Sequence, residues 1–171
     1  EYIKFKKKIP IIFPMARPEF DPDEIWSKAV DIIVKSIKNQ ESVVFLCLGD
    51  TSLFASSSNI LRIIKNNYPE IITSTIPGIS SISAAAALSN FNLAIKGETL
   101  IIKECPSNKK ELVDLITISR EKKTVLVLMK VGKRWEWVKN LLKKEGIISK
   151  SVIALNVGMT DQIVKEASKF D

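Results

Sequence analysis

The sequence predicts an α/β fold with parallel sheets and covering helices, and three observations carry this. Continuous apolar runs of strand length, such as Val43–Leu48 and Thr124–Met129, read as strands buried on both faces. Segments with helical spacing of apolar residues fall between these runs, and such alternation marks strands joined by helical crossovers. Two runs stop at a glycine turn, Gly49-Asp50 and Pro77-Gly78. In open α/β sheets ligands sit beyond the carboxyl ends of strands, where a glycine lets backbone approach them closely. Gly-Asp after a hydrophobic strand also serves as an ordinary turn.

In chain order, Ile9–Met15 is a short apolar strand broken by prolines and ending near Pro14. Pro18, Asp21 and Pro22 form a loop, with Asp21 as N-cap, Pro22 at the first helical position and Glu24 three residues after the cap. The helix that follows runs to about Lys38, with Trp26, Ala29, Val30, Ile33 and Ile37 on its apolar face. After the strand at 43–48, Ser57–Asn67 is a helix stopped by Asn66-Asn67-Tyr68-Pro69. Ile71–Ile76 is the next strand, and Ser81–Leu88 is a helix whose alanine run permits close packing. The pattern restarts after Asn90–Gly97, which places one lobe at residues 1–96 and a second at 97–171. The second lobe holds a strand at Thr99–Lys103, a helix at Leu112–Ser119, a strand at Thr124–Met129 and an amphipathic helix, Trp135–Lys144, closed by Gly146. A strand at Val152–Val157 precedes Gly158-Met159-Thr160-Asp161, and the last ten residues read as a helix or as a strand of a hairpin.

Composition narrows the chemistry. A chain of 171 residues that is 46% hydrophobic and 26% charged can bury a sizeable core. Its longest apolar runs fall short of the ~18 residues of a membrane span, and the basic opening lacks the apolar segment of a signal peptide, so a soluble cytoplasmic protein is expected. The absence of histidine removes His-based triads, His general bases and His-ligated metals. Cys47 and Cys105 form no CxxC spacing and read as reduced thiols in or near the core, so no metal is expected. The net charge of +7 favours anionic partners. The lysines are dispersed with few aromatics among them, which is weak support for nucleic-acid stacking.

Three strand ends, LCLGDTSLF at 46–54, TIPGISSISAAAAL at 75–88 and LVLMKVGKRWEWV at 126–138, together resemble the tetrapyrrole methylases, which use S-adenosylmethionine. Upstream IFPM at 12–15, LMKVG at 128–132 and GMTDQ at 158–162 look most like the branch that methylates precorrin-2 at carbon 20 in corrin synthesis. The resemblance implies two αβα lobes with the cofactor cleft between them. The sequence departs from the family pattern in Gly49-Asp50-Thr51, where Gly-Asp-Pro is usual. It also lacks the family's N-terminal glycine-rich loop and final strands, so a truncated form is expected.

Carried over residue by residue, the resemblance places cofactor contacts on Leu48, Gly49, Asp50, Ser80, Ser81 and Met129. Capping explains the serines equally well, a turn explains Asp50, and core filling explains Met129. Backbone donors, apolar walls and oxygens near the sulfonium are what a folded S-adenosylmethionine needs. Asp50 and Asp161 are candidate bases, and Arg17 and Lys130 are candidate partners for substrate carboxylates. The expected substrate is a polycarboxylate tetrapyrrole, with neither nucleic acid nor membrane as partner and with a homodimer as assembly. Alternatives are another branch, acting on uroporphyrinogen or a later precorrin, and a non-catalytic basic lobe that binds RNA.

Overall fold

The computed structural model describes residues 7–12, 22–39 and 41–170. Its contacts divide the chain into two compact units, Glu1–Gly78 and Ile79–Asp171.

The first unit is built on two helices, α1 (Pro22–Lys38) and α2 (Ser57–Asn67). Helix α1 starts at Pro22 and ends at Lys38, as its apolar spacing predicts; Asp21, its expected cap, lies outside the described residues. Ala29, Val30, Ile33 and Val34 of α1 bury against Ile60 and Ile64 of α2, while Trp26, Phe45 and Tyr68 pack at the margin of this core. Trp26 is therefore a packing residue, as its place on the helical stripe suggests. Acidic residues in the first turn of α1 and lysines in its last turn complement the helix dipole.

The strands expected at Val43–Leu48 and Ile71–Ile76 do not form ladders among the described residues. Phe45 packs on the helix pair and Cys47 is half-buried, but Val44, Leu46 and Leu48 between and beyond them are exposed. Val44 is 77% and Leu48 81% exposed, so the expectation of a strand at Val43–Leu48 buried on both faces is corrected here; in the other segment Ile72 is 98% exposed. The physical reason is that a β-strand is stabilised by its neighbours, and no described strand pairs with either segment. Residues 7–12 likewise form no strand, and 13–15 of the expected Ile9–Met15 strand lie outside the described residues.

The second unit begins with α3 (Ser81–Ser89), capped by Ser80 and closed by Asn90 in the left-handed conformation. A parallel pair follows, β1 (Thr99–Glu104) and β2 (Thr124–Met129), with α4 (Lys109–Glu121) as the crossover. The register runs from Thr99 opposite Thr124 to Glu104 opposite Met129, so both carboxyl ends lie at one edge. Helix α4 begins with a side-chain N-cap in which the Asn108 side chain accepts from the Glu111 N–H at 2.9 Å. A 3₁₀ turn, Gly132–Arg134, leads into α5 (Trp135–Lys144). Gly146, at φ 67°, donates to the Lys143 carbonyl, and Ile147 donates to that of Leu142, so α5 ends in a Schellman motif. Leu112 and Ile116 of α4, Val138, Leu141 and Leu142 of α5, and Cys105 form the second core.

The chain closes with an antiparallel hairpin, β3 (Val152–Leu155) and β4 (Ile163–Glu166). Of the last ten residues, Ile163–Glu166 form the hairpin strand and Ala167–Lys169 a 3₁₀ turn, and β3 ends before Val157 because Asn156 turns the backbone to φ 49°.

Candidate functional site

In the first unit the residues of interest form a turn locked to a second, distant turn. Gly49 adopts φ 87°, a conformation that favours glycine. Next to it, one Asp50 carboxylate oxygen accepts from both the backbone N–H and the hydroxyl of Ser52. These Ser52 bonds hold the Asp50 carboxyl below the ordinary aspartate range. The Thr51 hydroxyl donates to the Ile76 carbonyl at 3.1 Å, and the Ser57 hydroxyl donates to the Thr51 carbonyl at 3.1 Å. Gly78 closes the arrangement, because a β-carbon there would overlap the Gly49 carbonyl. Gly49-Asp50 and Pro77-Gly78, read from the sequence as separate strand ends, thus meet. Leu48 leads into the turn with its side chain 81% exposed.

In the second unit Ser81, Met129 and Lys130 line a single cavity of about 850 Å³. Its walls are mostly apolar: the Ala85 and Ala86 face of α3, strand β2, Trp135 and strand β3. Met129 stands at the carboxyl end of β2, and its carbonyl accepts from the Cys105 N–H at 2.8 Å. Lys130 follows in the left-handed conformation at φ 54°, with its ammonium 3.5 Å from the Glu104 carboxylate. Arg134 donates from its guanidinium to the Lys130 carbonyl at 3.2 Å. Burial pushes the Cys105 thiol up, so it behaves as a packed core group.

Ser80 is used as a cap: its hydroxyl oxygen accepts from the Ser83 N–H at 3.1 Å. Asp161 accepts from the Asn156 side-chain amide at 2.7 Å and belongs to the loop between β3 and β4. Arg17 lies outside the described residues. The coupling of Gly49 to Gly78, the Thr51 bond and the Arg134 bond have no signature in the sequence; Gly49-Asp50 and Pro77-Gly78 each mark a turn, but not that the two meet. Among the described residues no group of three or more His, Cys, Asp or Glu could hold a metal ion, and no helix is long and apolar enough to cross a membrane.

Fold and geometry define an α/β protein with a parallel strand pair, one strand of which, β2, lines an apolar cavity along its length. The family model for Tetrapyrrole (Corrin/Porphyrin) Methylases matches residues 2–169, and the chain belongs to that family. It is 28% identical over 136 residues to the cobalt-precorrin-2 C(20)-methyltransferase of Salmonella typhimurium, a match that covers 80% of this chain and 54% of the relative. It is 25% identical over 166 residues to the probable cobalt-precorrin-2 C(20)-methyltransferase of Methanocaldococcus jannaschii, covering 95% of this chain and 69% of that protein. The chain therefore spans about half the length of the first of these relatives. The crystal structure of the methyltransferase CobJ shares the fold at a TM-score of 0.56 and 17% identity, over 85% of this chain and 63% of the other. The family uses S-adenosylmethionine as methyl donor, in keeping with the resemblance carried by the three strand ends.

Proposed function

We propose that this chain forms part of an S-adenosylmethionine-dependent C-methyltransferase acting on a precorrin-2-type tetrapyrrole at carbon 20. The observation that carries the reading is the one cavity that Ser81, Met129 and Lys130 all line, with Met129 at the carboxyl end of β2. The residues fit the cofactor: an apolar surface suits the adenine, Met129 adds a polarisable contact, and Ser81 supplies an oxygen. The printed names of the two relatives support the branch.

When bound, the cofactor supplies an electrophilic sulfonium methyl. The protein's task is alignment in a dry cleft, and positioning of this kind is worth roughly 7 to 11 kcal/mol. Transfer of that methyl to a ring carbon would leave its electron pair on the departing thioether sulfur, and a base would then have to take the proton that the ring carbon releases. Asp50 is poorly suited to take that proton, since its carboxylate is held by Ser52 and its pKa is lowered. It serves better as the brace of the Gly49 turn. Lys130 offers a cation to a substrate carboxylate in exchange for Glu104, as Arg17 does in the same reading. The acting assembly in this reading is a homodimer that binds neither nucleic acid nor membrane.

Calorimetric titration of the full-length protein with S-adenosylhomocysteine tests the reading. Saturable binding is expected, and its absence would sink the methyltransferase assignment. Mass-spectrometric analysis of the methylated product separates carbon 20 of precorrin-2 from uroporphyrinogen or a later precorrin. Salt-sensitive RNA binding without affinity for the homocysteine compound would favour the basic-lobe alternative.

A further inference from the structure

Lys130 occupies the left-handed region directly after β2, where a residue with a β-carbon is strained and glycine is the usual choice. Its neighbourhood holds the strained shape from both sides. The Met129 carbonyl accepts from the Cys105 N–H at 2.8 Å, and the next carbonyl, that of Lys130, accepts from the Arg134 guanidinium at 3.2 Å. The Lys130 side chain reaches the other way, to Glu104, the register partner of Met129. Arg134 is itself fixed by its backbone N–H, which donates to the Val131 carbonyl at 3.0 Å. Two consecutive carbonyls are thus tied down at the point where Met129 and Lys130 join the cavity wall.

We propose that Arg134 is a positioning residue for the cofactor wall: by holding the Lys130 carbonyl it fixes the left-handed kink that sets the place of Met129. This rests on the function proposed above. Arg134 acts through Lys130 and touches neither cofactor nor reacting atoms. Its guanidinium does this through one charge-assisted bond, donated from Nη1 to a neutral carbonyl.

The test is a double-mutant cycle on the full-length protein, read by calorimetric titration with S-adenosylhomocysteine and accompanied by thermal melts. Arg134→Ala is expected to weaken binding about 10-fold, the factor of a lost charge-assisted hydrogen bond, and Arg134→Lys to recover part of the loss. Glycine enters the left-handed region without restraint, so in a Lys130→Gly background the same Arg134→Ala change is expected to alter affinity less than about 2-fold. Unchanged affinity in a folded Arg134→Ala protein overturns the proposal. Equal losses in both backgrounds also overturn it, because a general structural role does not depend on the kink. Should Arg134→Ala not fold, Arg134→Met, which keeps a long side chain without the donors, overturns it in the same way if its affinity is wild-type in both backgrounds. If the unmodified protein fails to bind, the methyltransferase reading falls and takes this one with it, whereas binding that ignores Arg134 removes this one alone.

Discussion

The backbone of Gly49 runs against the α-carbon of Gly78, so closely that position 78 has no room for a β-carbon. Two glycines 29 positions apart in the chain are in this way one structural unit, and the Thr51 hydroxyl bonded to Ile76 reinforces it. The atom in the way is a backbone carbonyl, which cannot swing aside as the end of a flexible side chain would. Gly78→Ala is therefore expected to force the two turns apart and to lower stability by about 1 to 3 kcal/mol, the usual range for overpacking. Urea unfolding checks this, and a midpoint equal to that of the unmodified protein would refute the close approach.

Asp50 gives a pH dependence of known sign. Its folded pKa lies below the ordinary aspartate value of 3.8, because the ionised carboxylate accepts two bonds from Ser52. A lowered carboxylate pKa contributes stability that is present above the unfolded value and is lost as pH falls through the folded one. Asp50→Asn should thus melt lower than the unmodified protein at neutral pH, and the two curves should converge only in strong acid. Melts that already coincide at neutral pH would count against the brace.

Leu112 is 0% exposed and sits at the centre of the second core beside Ile116 and Val138. Leu112→Ala is expected to destabilise by about 2 to 5 kcal/mol, combining lost transfer energy with the cavity left behind. Chemical denaturation reads the change directly. A loss under 1 kcal/mol, an order-of-magnitude threshold for a well-tolerated core change, would mean that the core collapses around the gap.

The cap of α4 is a smaller and cleaner target. Asn108→Ala removes the side-chain acceptor of the Glu111 N–H and should cost about 1 kcal/mol. Asn108→Asp keeps the acceptor and should retain the stability. Equal losses in both variants would show that the side-chain oxygen is not what supports the helix start.

Helices and the strands of the second unit were legible because their signals are local. The stripe Trp26 to Ile37 defines α1, and Trp135 to Gly146 carries the whole of α5 and its terminus in a dozen residues. The apolar run Thr124–Met129 became a strand because Thr99–Glu104 lies beside it. Val43–Leu48 is as apolar, yet it forms no ladder among the described residues, since pairing depends on a partner that local pattern does not specify. The same limit hid the site's couplings. Gly49 and Gly78 each announced a turn, but their contact is tertiary; Arg134 read as one of many basic residues until its guanidinium was seen on the Lys130 carbonyl. The family resemblance rested instead on the succession of strand ends, which sequence displays in full.

The alternating exposure of Val44, Leu46 and Leu48 has a practical consequence. Apolar side chains at every second position, with no ladder beside them among the described residues, make a template on which other strands can add. Preparations in which nothing shelters this stripe should self-associate as concentration and salt rise, with thioflavin-positive material appearing before any loss of helical signal. Replacing Leu46 with lysine should suppress that behaviour, because a charge at the centre of the stripe repels an incoming copy.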